Sequence, residues 1–105
     1  MAISNIKKRD GRTVPFDVTK IANAISKAFE ATYKPNSQDV AAALAEQVES
    51  ILEMEGNSLP DVEHIQDIVE KVLMDNGYIT TAKAYILYRS ERSRRREMRT
   101  RLMQT

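Results

Sequence analysis

The sequence predicts an α+β protein that is mostly helical, with a small β-hairpin or three-stranded cap over a four-helix bundle. Three observations carry that expectation. Asp10-Gly11 separates two short stretches of strand character, and Asp-Gly is a common dipeptide of tight hairpin turns. Four later segments carry apolar residues at helical spacing. Capping and breaking residues stand between those segments, where helices start and stop. With 105 residues the chain has material for one compact domain.

The elements follow in order. Residues 4–8 and 12–16 read as two strands around a two-residue type I′ turn, with Pro15 suited to an edge or a strand end. Asp17 is a good N-cap, and Val18, Ile21, Ala22, Ile25, Ala28 and Phe29 give the first helix its apolar stripe to about Ala31. Pro35 disfavours the α conformation at Lys34 and breaks the pattern. Ser37 caps a second helix, whose face is read as Val40, Leu44, Val48, Ile51 and Leu52. Residues 57–60 are short and irregular, with room for a third brief strand. Asp61 caps a third helix carrying Val62, Ile65, Ile68, Val69, Val72 and Leu73, and Asn76-Gly77 supplies a left-handed ending. The fourth helix begins near Thr80 or Thr81, with Ala82, Ala84, Tyr85, Ile86 and Tyr88 on its apolar side.

Composition narrows the function classes. The chain is 42% hydrophobic and 30% charged, with no apolar run approaching the roughly 20 residues of a membrane span. Residues 1–5 lack the apolar core of a secretory signal, and there is no cysteine. A cytoplasmic protein without membrane contact is expected. Residues 89–101 hold seven Arg and two Glu, a net +5 against +1 for the whole chain, so the remainder carries −4. That asymmetry points to an anionic partner.

Little in the chain supports catalysis. There is one histidine, His64, placed in the first turn of the third helix and read as a surface or cap-region residue. Glu63, Asp67 and Glu70 lie on a helix that needs a solvated face, and none is singled out as a reacting pair. No catalytic or metal-ligating residue is assigned. The hairpin cations are more informative. Lys8, Arg9 and Lys20 can converge on one anion, Arg as a bidentate fork and Lys as a point charge, with helix N–H donors beside them. A merely solvated basic turn is the alternative, and spacing alone leaves both open. The arginine-rich tail is likewise a soluble face, a nucleic-acid contact or a docking segment. It has no aromatic residue between Arg89 and Thr105, so no base-stacking platform is available.

The stretch "IKKRDGRTVPFDVTKI" (6–21) resembles the start of the ATP-cone domain, the small regulatory nucleotide-binding domain at the N-terminus of many ribonucleotide reductases. "VEHIQDIVEKVL" (62–73) is similar to that family's third helix and "TAKAYILYRSER" (81–92) to its last. The resemblance covers residues 3–95, so residues 1–95 are read as the nucleotide-binding regulatory domain and 96–105 as a basic helical extension toward a catalytic domain. The tail looks most like the segment joining cone to catalytic barrel in anaerobic ribonucleoside-triphosphate reductases, and vitamin B12-dependent reductases look similar there. The repressor of reductase genes also carries a cone, behind a four-cysteine zinc ribbon; a sequence without cysteine departs from it.

The resemblance implies a function and a site. ATP or dATP would bind as effector, with Mg²⁺ carried on the nucleotide, and would act through oligomeric state or domain arrangement. The partners implied are the reductase catalytic domain and further copies of the chain. By position in the motif, Lys8 and Arg9 are phosphate ligands, and Lys20 joins them from the Lys20-Ile21 pair that opens the first helix. Ile6 lines the adenine pocket, Val62 and Gln66 face base and sugar, and Arg89 and Arg92 lie near a last-helix cation. Val14 departs from the acid that some aerobic members carry there. No carboxylate is picked out to read the ribose. The rival readings are a nucleic-acid-associated regulator acting through the arginine helix and a ligand-free helical interaction module.

Overall fold

The computed structural model describes residues 3–32 and 38–90. Strand β1 (Asn5–Lys7) pairs antiparallel with β2 (Thr13–Pro15), Ile6 opposite Val14 and Lys7 opposite Thr13. Three helices follow, α1 (Val18–Ala31), α2 (Gln38–Glu55) and α3 (Val62–Asp75). A fourth, α4, occupies residues 79–90 of the described chain. This is the expected small β cap on a four-helix bundle.

The hairpin turn differs from the two-residue type I′ expectation. Lys8 N–H donates to Arg12 C=O at 2.7 Å, and Gly11 N–H donates to Lys8 C=O at 2.9 Å. The loop is therefore residues 9–11, a β-turn followed by Gly11 at φ +89°. Such a three-residue loop needs only one residue at positive φ, and glycine supplies it without a Cβ clash. The Asp10 carboxylate accepts from Arg12 N–H at 3.1 Å and from Arg12 Nε at 2.7 Å. Those contacts, the backbone bond foremost, hold its pKa below the usual carboxylate value.

The third strand is reduced to one rung. Lys7 forms an isolated parallel bridge with Asp61, and its N–H donates to Pro60 C=O at 2.9 Å. Pro60 has no N–H to extend the ladder. The preceding residues close on themselves, with Leu59 N–H donating to Asn57 Oδ1 at 3.0 Å. That single bond still registers the hairpin against the start of α3.

Helix ends follow their capping chemistry. Asp17 accepts from Thr19 N–H at 3.0 Å and Asp61 from His64 N–H at 2.8 Å, each satisfying a donor that the helix leaves without a partner. At the end of α3, Tyr78 N–H reaches Leu73 C=O and Gly77 N–H reaches Met74 C=O, with Gly77 at φ +87°. This is a Schellman ending, which turns the chain sharply into α4. The expected Ser37 cap and Pro35 break lie outside the described residues.

The core runs through all four helices. Phe29, Ile25, Leu52, Leu73, Val48 and Val69 are essentially without solvent exposure. Each such side chain contributes about 1.5–3 kcal/mol on leaving water. Phe29 meets Tyr78 edge to face, ring centroids 5.1 Å apart. Buried Thr81 shares a 3.1 Å hydrogen bond with Thr32, whose hydroxyl also lies 3.0 Å from Ala28 C=O. These contacts seat α4 on the end of α1. One stripe assignment fails: Val40 is 39% exposed, and the buried face of α2 runs through Ala41, Leu44, Ala45, Val48 and Leu52. A run of three alanines has no periodicity of its own, and the helix turned it so that small Ala41 and Ala45 face the core.

Candidate functional site

A cleft of about 430 Å³ opens between α1, α3 and α4, with the hairpin across one end. Its size lies within the range of small-molecule sites. Each helix supplies a stripe at i, i+3 or i+4 spacing. From α1 come Lys20, Asn23, Ala24 and Lys27; from α3, Val62, Ile65 and Gln66; from α4, Tyr85, Tyr88 and Arg89. Lys20 and Lys27 are two turns apart, so the cleft follows α1 for roughly 10 Å. The hairpin adds Ile6, Lys8, Arg9 and Val14.

Of the residues singled out in the sequence, Ile6, Lys8, Arg9, Lys20, Ile21, Val62, Gln66 and Arg89 all line this one cleft. Arg92 lies outside the described residues, as does the basic extension 96–105. Lys8 directly follows β1 and keeps its alternation, which brings it to the same cleft as Ile6. Arg9 joins them because it belongs to the loop and has left that alternation. Asp17 stands at the cleft as the cap of α1, so part of that helix's N–H capacity is already used by its own carboxylate.

The cations differ in their partners. Arg9 Nε donates to Glu63 Oε1 at 2.7 Å, with the two side chains 56% and 52% exposed. Arg89 bonds to Asp67 at 3.2 Å and, more closely, to Glu70; Arg89 and Glu70 are 22% and 20% exposed. Partial burial by itself works against the Arg89 charge, but these carboxylates outweigh it and raise its pKa above the usual value. Lys20 forms no salt bridge among the described residues. Burial pushes the Tyr85 phenol up to about 12, with nearby Arg89 working the other way.

Sequence reasoning missed several lining residues. Lys27 is the clearest: its Nζ sits 5.8 Å from the Tyr88 ring centroid, within cation–π range. The seven-residue spacing from Lys20 was the available signal. The sequence places Glu63 on a solvated helix face, and folding brings it to the cleft, where it pairs with a residue 54 positions earlier. The cleft thus holds the Glu63 carboxylate beside that of Asp17. His64 is exposed in the first turn of α3, does not line the cleft, and has its Nε2 2.7 Å from Glu55. Among the described residues no group of three or more metal-ligating side chains occurs, and no helix is long and apolar enough to cross a membrane.

The family model for the ATP cone domain matches residues 4–94. The chain belongs to the ATP cone family. The cone is 43% identical over 102 residues to a ribonucleoside-diphosphate reductase subunit alpha of Chlamydia pneumoniae, covering 90% of this chain and 10% of that protein. It is 41% identical over 100 residues to an anaerobic ribonucleoside-triphosphate reductase of Salmonella typhimurium, covering 95% and 14%. It is 40% identical over 100 residues to a vitamin B12-dependent ribonucleoside-diphosphate reductase of Thermoplasma acidophilum, covering 90% and 13%. The cone thus spans about a tenth to a seventh of the length of these relatives. Identities this similar do not separate one reductase class from another.

Proposed function

We propose that the cone is the effector-binding domain of a ribonucleotide reductase and that its cleft takes ATP or dATP. The observation that supports this most is the convergence of Lys8, Arg9 and Lys20 with apolar Ile6, Ile21 and Val62 on one cleft. The cations suit a polyphosphate, and the apolar residues with Gln66 suit a base and sugar. A triphosphate carries about four negative charges, and charge-assisted hydrogen bonds contribute roughly 1.5–3 kcal/mol each. In this reading Mg²⁺ travels with the phosphates, since Mg²⁺ keeps most of its water and takes few protein ligands. The domain does no chemistry itself. It acts on an attached catalytic domain, or on association between copies, according to which nucleotide is bound.

Calorimetric titration with ATP, dATP, GTP and short duplex DNA tests the proposal. Adenine nucleotides bind, and Lys8→Ala and Lys20→Ala each weaken binding about tenfold or more. Light scattering of the reductase with ATP and then with dATP gives different particle sizes. A flat calorimetric response to both adenine nucleotides removes the proposal, and DNA binding without nucleotide binding replaces it with the nucleic-acid reading.

A further inference from the structure

We propose that Glu63 is an internal counter-anion that competes with a ligand's phosphates for Arg9 and so limits the affinity of the cleft; this rests on the reading of the cleft as a phosphate site. The cations at the hairpin end of the cleft are Lys8, Arg9 and Lys20, and Glu63 lines the cleft among them. Its Oε1 lies 2.7 Å from Arg9 Nε. Carboxylate and phosphate oxygens use the same guanidinium donors with the same planar geometry. In the ligand-free cone the chain's own carboxylate therefore stands where a phosphate oxygen would bind.

Two features make the pair displaceable. Both side chains are more than half exposed, so the ion pair is screened and holds weakly. The hairpin is also registered against α3 independently, through Lys7 N–H to Pro60 C=O at 2.9 Å. Breaking the pair costs a side-chain rearrangement and leaves the backbone framework in place. A phosphate that takes Arg9 through its terminal nitrogens while Glu63 keeps Nε gains no exemption. The carboxylate charge then remains within a few ångströms of the phosphate and repels it. By either route a negative charge at position 63 opposes the ligand.

The test is calorimetric titration of ATP into the full chain, its Glu63→Gln and Glu63→Lys variants, and the same pair of changes in an Arg9→Ala background. Glu63→Gln tightens ATP about two- to fivefold, the range of an exposed ion pair. Glu63→Lys tightens it further. The gain from Glu63→Gln is smaller in the Arg9→Ala background, where competition for the guanidinium is gone and only direct repulsion of the phosphates is left; an equal or larger gain there assigns the effect to repulsion alone and overturns the competition for Arg9. The thermal midpoint of ligand-free Glu63→Gln stays close to the unsubstituted chain. If the unsubstituted chain binds ATP and Glu63→Gln binds it equally or more weakly, the inference fails while the cleft reading survives. If the unsubstituted chain binds no ATP, the cleft reading fails first and takes the inference with it.

Discussion

The two arginines that line the cleft, Arg9 at the hairpin mouth and Arg89 on the α4 wall, are both paired with carboxylates of α3. Their surroundings make them different devices. Arg9 and Glu63 are more than half exposed, whereas Arg89 and Glu70 are about one-fifth exposed. Water and salt screen the first pair and give it little net worth, so a ligand can take its place. The second pair is largely cut off from solvent, and separating it would strand a charge in a poorly hydrated place. Thus Arg89, singled out from its position beside a last-helix cation, lines the cleft and ties α4 to α3. On the proposed reading the phosphates go to Lys8, Arg9 and Lys20, with the Arg9 pair being the one a ligand displaces.

The largest expected effect tests how dry the α4 wall is. Tyr85 lies on that wall one turn before Arg89, and its phenol is pushed up to about 12 from the ordinary value of 10.0 by burial. Below pH 10 both folded and unfolded chains keep the proton. Between about pH 10 and pH 12 the unfolded chain gives it up while the folded chain holds it, so the unfolded state binds fewer protons and stability falls as pH rises. The shift corresponds to about 3 kcal/mol lost across that window. Urea unfolding of the protein and of Tyr85→Phe at stepped alkaline pH isolates this contribution, because the other titrating groups are common to both. Parallel pH curves would mean that water reaches the wall and that the contrast with the hairpin mouth is false.

Next in size is Arg89→Ala. It leaves Glu70, about one-fifth exposed, without the guanidinium it pairs with. Full burial would cost about 3–5 kcal/mol and full exposure under 1, so the partly buried pair is expected near 2 kcal/mol. In a domain of this size that lowers the thermal midpoint by about 10 °C. ATP affinity should fall much less than in Lys20→Ala. The reverse pattern, with stability kept and binding lost, would make Arg89 a ligand cation after all.

The same contrast between local and distant causes decides what was legible in the sequence. Asp17, Asp61 and Gly77 act through bonds to residues at most five positions away, and their helix boundaries were readable. Stripes such as Ile65, Ile68, Val69, Val72 and Leu73 announce a buried face by periodicity alone. Asp-Gly signalled a turn but fits both two- and three-residue loops, and the choice rests on the Lys8–Arg12 pairing that the dipeptide does not encode. The alanine run hid which side of α2 faces inward. In the site, the residues carried by motif position that fall among the described residues line one cleft, whereas Lys27 and Glu63 do not stand out in the sequence. The role of Glu63 exists only because folding brings it to Arg9, 54 residues away.

The smallest expected effect is also the sharpest for the comparison. Arg9→Ala removes an arginine paired to one α3 carboxylate, Glu63, whereas Arg89→Ala removes one paired to two, Asp67 and Glu70, and each lost contact is a guanidinium–carboxylate bond. Exposure is the larger difference, so the stability cost of Arg9→Ala should be under about 1 kcal/mol, in the range of surface pairs. Glu63 loses a partner but keeps its water. The Lys7 N–H bond to Pro60 does not involve either side chain, so hydrogen exchange at the Lys7 amide should be unchanged. Raising the salt concentration should erase what difference remains between Arg9→Ala and the unsubstituted chain, while the deficit of Arg89→Ala persists. Equal costs for the two substitutions, both insensitive to salt, would show that burial is not what separates the two arginines, and that the Arg9–Glu63 pair is too firmly held for a phosphate to displace.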